Sequence, residues 1–364
     1  MNILLLGGTG AMGVHLSSIL GLRGEEVYVT TRGDKKDEGT IKYLKGNAKN
    51  IDFLQTVLQM KKWDAIVDFM VYNTKELQER IDLLLSATKQ YVFLSSSRVY
   101  AESPTGIITE ESPRLLDVSK DKEYLLTDEY ALAKAREENI LYTSLSKNWT
   151  IIRPYITFSE QRLQLGVMEK EDWLCRVLNG GSIVFSEDIA QHITTMTYGY
   201  DVAKGIAGII GKEKALGEAF HIVTSEYYKW SEILDIYLNV IEEELGFRPK
   251  VVFTKQAINL RFKKLQYQVK YCRLFDRIFD NSKILSIVPD LEFTSVKDSL
   301  RSCCKDLIES GNFKNSNNNF LYALMDKEAK EYISFRKYNG IKNKIKYIVF
   351  RFSFSTLVNR LINR

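Results

Sequence analysis

Gly7-Gly8-Thr9-Gly10-Ala11-Met12-Gly13 stands between an apolar run, Ile3 to Leu6, and a helical apolar pattern from Val14 to Leu22. The run reads as a buried strand, and the glycines at 7, 10 and 13 make G-x-x-G-x-x-G at a strand-to-helix turn. A pyrophosphate binds where backbone N–H groups approach closely and a helix dipole presents its positive end. Side chains at these glycines would block that approach.

From this loop the same rhythm extends along the chain. Strand-like runs at Glu26–Thr31, Ala65–Val71, Tyr91–Ser95 and Thr150–Arg153 alternate with helical patterns at Ile51–Met60, Leu77–Ala87 and Glu129–Leu145. This βαβ alternation predicts an α/β fold, a Rossmann-type doubly wound parallel sheet. Beyond Pro154 the rhythm loosens. Gln161–Leu178 and Ser231–Leu245 read as helices outside it, and Ala219–Val223 as a late strand. The expected organisation is a nucleotide-binding core over 1–160, completed by about 191–225. A smaller interleaved substrate portion covers 161–190 and 226–300, and a basic extension covers 301–364. Asn312 to Asn319 reads as a polar linker.

The 364 residues are 45% hydrophobic and 27% charged, as in globular proteins. Cys175, Cys272, Cys303 and Cys304 show no C-x-x-C spacing, and the three histidines are dispersed. This pattern predicts no metal site and a reducing, cytoplasmic setting. Nothing resembles a signal peptide, and no apolar stretch is long enough to span a bilayer. The net charge of +5 is uneven: residues 301–364 hold 13 Lys and Arg against five Asp and Glu. The body, with 38 basic and 41 acidic residues, gives no case for nucleic-acid binding.

Two further motifs carry chemistry. Tyr130-Ala131-Leu132-Ala133-Lys134 puts a phenol and an ammonium one helical turn apart on one face. The cation favours the phenolate, and such a tyrosine can exchange a proton with a sugar hydroxyl. Phe93-Leu94-Ser95-Ser96-Ser97-Arg98-Val99-Tyr100 places hydroxyls at the C-terminal end of a strand. That edge is where open α/β sheets bind ligands.

With the glycine loop, the serine strand and the Tyr/Lys helix in this order, the chain resembles the extended short-chain dehydrogenase/reductase superfamily. Within it the resemblance is to the NAD(P)-dependent epimerase/dehydratase family, over about residues 1–300. Arg153-Pro154-Tyr155, Thr197 to Ala203, Gly217 to Ile222 and Asp280-Asn281-Ser282-Lys283 match later segments of that family.

The resemblance implies a set of roles. Tyr130 would be the acid/base, Lys134 its partner and a ligand of the nicotinamide ribose, and Ser96 the catalytic hydroxyl, with Ser97 second. Gly7, Gly10, Ala11, Met12 and Gly13 would cradle the pyrophosphate. Asn47 stands where the family usually has an aspartate near adenine, and Phe69, Met70 and Val71 would line the nicotinamide side. Ser97, Arg98, Tyr155, Lys270 and Arg273 are candidate substrate ligands. The second strand ends Thr30-Thr31-Arg32, without the carboxylate that NAD-preferring relatives use for the ribose. Thr31 and Arg32 could instead hold a 2′-phosphate, so the expectation is NADP ahead of NAD.

Dehydratases of the family follow the catalytic hydroxyl with an Asp-Glu pair, and here Ser97 and Arg98 occupy those places. Arginine is no acid or base at neutral pH. An epimerase acting on a nucleotide sugar through a keto intermediate is therefore expected, with an NADPH-dependent keto-sugar reductase as the alternative. A non-catalytic NAD(P)-binding protein is the third class, and members of that kind usually lose part of the Ser/Tyr/Lys set. A homodimer is implied by resemblance only. In the tail, Ile341, Ile345, Ile348, Val349 and Phe352 recur at helical spacing among lysines. Such a helix is expected to pack on the body or on a second subunit, with peripheral membrane contact through 341–364 as the alternative.

Overall fold

The computed structural model describes residues 1–261, 265–314, 318–337 and 340–352. Seven parallel strands form the central sheet: β1 (Asn2–Leu6), β2 (Glu26–Thr31), β3 (Ile41–Lys45), β4 (Trp63–Asp68), β5 (Thr88–Leu94), β6 (Trp149–Ile152) and β7 (Glu218–Phe220). Their order is β7-β6-β5-β4-β1-β2-β3, so the strand order reverses beside β1. In such a sheet that reversal opens the ligand crevice.

Both faces are covered, as the continuous apolar runs require. Ile3, Leu5, Val27 and Val67 pack with Leu16 and Leu20 of α1 (Gly13–Leu22). Leu4, Leu6, Ile66 and Phe93 pack on the other face with Leu54 and Val57 of α2 (Ile51–Gln59). Each such fully buried side chain contributes about 1.5–3 kcal/mol. Asn50 starts α2 by accepting the Phe53 N–H at 2.9 Å.

Several elements depart from the sequence expectation. Strand β4 stops at Asp68 because its carboxylate accepts the Met70 N–H at 2.9 Å and turns the chain. The helix expected over Leu77–Ala87 is two short ones, α3 (Thr74–Gln78) and α4 (Ile81–Ser86). They break at Arg80, which turns its Nε onto the Glu76 carbonyl at 2.5 Å. Strand β3 was not expected. It is a short edge strand whose lysines blunt an otherwise open edge. The long helix, α5 (Tyr130–Thr143), begins one residue late because Glu129 caps it, accepting the Ala131 N–H at 2.9 Å. Gln161–Leu178 is not a helix. Gly166, at φ +61, reverses the chain into the hairpin of Gln164–Leu165 and Met168–Glu169. Only Leu174–Val177 is helical there.

The described chain divides into two compact units. The first comprises residues 1–159, 195–227 and 277–296, and includes α6 (Gly199–Ile209), which packs on α1. The second comprises 160–194, 228–276 and the residues from 297 onward. Its centre is α7 (Trp230–Leu245), whose Tyr237 stacks on Trp173 at 4.7 Å and donates to the Gln164 carbonyl at 3.0 Å. α8 (Val296–Ser310) leads to α9 (Asn319–Ala329), α10 (Ile333–Lys337) and α11 (Ile341–Phe352). The last three hold to the second unit through charge. Arg176 binds Asp326 and, at 2.6 Å, Glu331. Of the tail, residues 353–364 lie outside the described residues, as do 315–317 of the expected linker.

One polar network in the first unit fixes the ends of β5 and β6. Arg153, just after β6, forks onto Glu138 of α5 at 2.8 and 2.9 Å. Ser95 donates to the same carboxylate at 2.6 Å, and Arg114 reaches it at 3.1 Å. Glu138 and Arg153 are buried, so removing one partner strands the other in a dry site. Glu138→Gln should lose about 3–5 kcal/mol of stability in urea unfolding. A loss below about 1 kcal/mol would show that the pair is not what holds this corner.

Candidate functional site

The glycine loop closes over the C-terminal end of β1. Gly7 adopts φ +72, and a Cβ there would lie 2.6 Å from the Met70 sulfur. Its N–H donates to Thr30 at 2.8 Å, tying the loop to β2. A Cβ on Gly13 would strike the Gly8 backbone at 2.6 Å, so α1 can sit this close to the loop only without one. Gly10 instead faces open space. The N–H groups of Ala11, Met12 and Gly13 find no acceptor among the described residues, and no side chain caps α1. Orphaned donors at a helix N-terminus beside an open glycine fit a pyrophosphate. The residues present therefore suit a dinucleotide.

Around this loop the other expected contacts gather. Phe69, next to Gly7 across the sheet edge, donates its N–H to the Leu6 carbonyl at 2.9 Å. Met70 and Val71 follow, and Val71 is exposed. Thr31 is buried and accepts the Gly33 N–H at 3.2 Å, whereas Arg32 is exposed. Gly46 donates to the Thr31 carbonyl at 2.8 Å, which sets the exposed Asn47 beside the end of β2.

The three serines after β5 have different fates. Ser95 is committed to Glu138, and Ser97 donates to the Arg153 carbonyl at 2.7 Å. Ser96 only accepts, from the Arg98 N–H at 3.2 Å, and its own proton finds no acceptor among the described residues. The short turn Ser97–Val99 packs against α5. There the Arg98 guanidinium lies 5.1 Å from the centre of the Tyr130 ring and 2.5 Å from the Glu129 carboxylate. Tyr130 and Lys134 thus lie in the first turns of α5, Ser96 stands at the start of the turn that packs on this helix, and the Arg98 guanidinium lies over the Tyr130 ring.

Lys134 is buried, 4.5 Å above the centre of the Phe93 ring, and its ammonium donates to Glu137 at 2.9 Å. Glu137 is fully buried, and its second oxygen has no hydrogen-bond partner among the described residues. Burial pushes its carboxyl up to about 7, and the lysine offsets this in part. Asp68, fully buried at the end of β4, accepts the Tyr91 hydroxyl at 2.8 Å, and burial raises its carboxyl too. Two buried acids therefore surround one buried ammonium. The sequence reading missed Glu137, Asp68 and the capping Glu129. The spacing K-x-x-E in Lys134–Glu137 was the available signal for the first.

Other candidates lie elsewhere. Tyr155 is buried in the first unit, 5.3 Å from the Phe279 ring. Lys270 and Arg273 belong to the second unit. Arg273 is buried there and donates to the Gly166 carbonyl at 2.8 Å, while Lys270 is exposed with its ammonium 4.8 Å over the Tyr271 ring. Among the described residues no cluster of three or more His, Cys, Asp or Glu is placed to hold a metal ion.

Comparison with known proteins agrees with this geometry. Residues 3–222 match the NAD dependent epimerase/dehydratase family. A curated relative from Arabidopsis thaliana, the chloroplast stem-loop binding protein of 41 kDa b, is 27% identical over 242 residues. That match covers 62% of this chain and 59% of the relative, so the chain spans less than two thirds of the relative's length. The Bordetella bronchiseptica enzyme WbmH, solved in complex with NAD+, has a TM-score of 0.65 at 14% identity, covering 85% of this chain and 99% of that one. The UDP-glucuronic acid 4-epimerase of Bacillus cereus, solved with UDP-glucuronic acid and NAD, gives 0.63 at 18%, covering 86% and 100%. At these identities the structures establish the shared fold. With the match extending over more than half of its length, the chain belongs to the NAD dependent epimerase/dehydratase family.

Proposed function

We propose that the protein is an epimerase that inverts one carbon of a nucleotide sugar through a transient ketone, using a bound nicotinamide dinucleotide. The observation that carries this reading is the sorting of hydroxyls beside the glycine loop. Of three consecutive serines, Ser96 alone keeps a proton to donate, and it sits on the turn that packs against Tyr130's helix. The structural relatives solved with NAD, one of them also with UDP-glucuronic acid, support the cofactor and substrate class.

In this reading the glycine loop would hold a nicotinamide dinucleotide, which would supply a reversible hydride acceptor for the substrate carbon. The chain's own residues handle the proton. Tyr130 as phenolate accepts the hydroxyl proton as the ketone forms and gives it back as the alcohol is restored. Ser96 donates a hydrogen bond to the reacting oxygen. Lys134 lies one turn along the same helix, its ammonium bound by Glu137 at 2.9 Å. Elimination of water is disfavoured, because Arg98 occupies the place of an acid and is held by Glu129. The exposed Arg32 after β2 supports NADP and, with it, a second reading: a reductase that delivers hydride once to a keto sugar. RNA binding, suggested by the name of the Arabidopsis relative, has less support. Residues 1–300 carry more acidic than basic side chains, against the positive field a polyanion needs. A homodimer goes with the family resemblance.

Tyr130→Phe should lower turnover on UDP-sugars roughly 10²–10⁴-fold, followed by proton NMR of the sugar, while nicotinamide affinity is kept. Wild-type turnover in the variant would end the assignment. Glu137 gives a second test. With its carboxyl raised to about 7 from 4.5, the folded chain holds a proton there that the unfolded chain has lost. Its stabilising contribution is complete below the unfolded value and disappears as pH rises through the folded one. Between about pH 5 and pH 8 the wild type should therefore lose roughly 2–3 kcal/mol relative to Glu137→Gln. Parallel stability curves for the two proteins would contradict the buried-acid assignment.

A further inference from the structure

Helix α11 presents its greasy side to water. Ile341, Ile345, Ile348 and Phe352, at i, i+4, i+7 and i+11, are 78%, 55%, 44% and 58% exposed. At this spacing they form one narrow stripe along the helix. The stripe is not the face that packs. Tyr347 and Arg351, on another side of the helix, are buried. Tyr347 donates to Asp326 at 2.7 Å, Arg351 donates to the Tyr347 hydroxyl at 3.2 Å, and the Arg351 guanidinium lies 3.9 Å over the Tyr332 ring. Since Asp326 is also held by Arg176, the helix is anchored through buried charge in its own unit and its orientation is fixed. Among the described residues, nothing covers the apolar stripe.

Lysines flank the stripe. On the helical wheel Lys342 and Lys346 fall along one edge and Lys344 along the other. From Ile333 to the last residue the sequence holds eight basic residues and no acid. We propose that α11 is an interfacial helix that seats the protein on an anionic bilayer, its isoleucines among the acyl chains and its lysines at the phosphates. The pattern is what in-plane binding requires: a narrow apolar face, cationic flanks and no length to span. No helix among the described residues is long and apolar enough to cross a membrane.

The same observations weigh against the other occupants. A second copy docking through this face would bring two lysine-flanked stripes together, like charge beside like charge. A nucleic acid would bind the lysines but leave the isoleucines in water, since phosphate contacts carry its affinity. A membrane uses both. This placement goes beyond the catalytic reading and does not depend on it.

The test uses the full chain with vesicles of phosphatidylcholine, pure or containing about 30% phosphatidylglycerol. Sedimentation should carry the protein down with the anionic vesicles only, and less at high salt. Ile345→Ser with Ile348→Ser should reduce partitioning about tenfold or more, with an unchanged melting temperature. Lys342→Gln with Lys346→Gln should weaken binding to the anionic vesicles alone. Should the serine variant fold poorly, Ile345→Trp replaces it, and its emission should shift to the blue on anionic vesicles. Absence of binding to those vesicles, or equal binding by the serine variant, would overturn the proposal. So would an Ile-dependent dimer in solution, or a stem-loop RNA that binds through the lysines regardless of the serine changes.

Discussion

The buried ion pair of Glu138 and Arg153 is the constraint on which the site depends. It joins α5 to the end of β6 and takes up the Ser95 hydroxyl, while the Arg153 side chain also reaches the Tyr100 hydroxyl at 2.9 Å and the Glu110 carbonyl at 3.1 Å. The loop after β5 is thereby clamped at Ser95, Ser97 and Tyr100. Ser96, between the clamped residues, is left with its proton available. A pair buried this deeply gains little over an apolar replacement, so its value is better sought in the geometry it enforces than in stability.

The same helix carries the electrostatics. Lys134 and Glu138 are one turn apart on α5, and Glu137 lies between their neighbourhoods. Glu138 is neutralised by arginine, whereas Glu137 shares its ammonium partner with the field of Asp68. One cation cannot fully compensate two buried carboxylates, and burial raises both carboxyls. Glu137 lies on the helix that presents Tyr130, where proton transfer is proposed. Arg98, pinned by Glu129 against the Tyr130 ring, adds a second positive charge from outside the helix.

The fold was legible because local rules and global fold agree over the first unit. The apolar runs, the glycine loop and Tyr130–Lys134 each follow from spacing. What was missed depends on tertiary partners. Strand β3 carries alternate lysines and reads as a loop until β2 lies beside it. Gln161–Leu178 has enough apolar residues for a helix, but Gly166 at positive φ turns it into a hairpin. Ser96 could be ranked above Ser95 and Ser97 by resemblance alone. That the hydroxyls of Ser95 and Ser97 are engaged is visible only with Glu138 and Arg153 in place. The tail helix was legible as amphipathic, but not which of its faces is buried. Tyr347 and Arg351 took the interior because Asp326 is there to receive them.

The central claim is that the glycine loop and the Ser96–Tyr130–Lys134 corner work on a nicotinamide dinucleotide that an epimerase regenerates at each turnover. It is tested most directly by denaturing the purified protein and identifying the released nucleotide by mass spectrometry. The account predicts close to one NAD(H) or NADP(H) per chain. A protein that releases none, and that takes up neither NAD nor NADP when they are supplied, would contradict it.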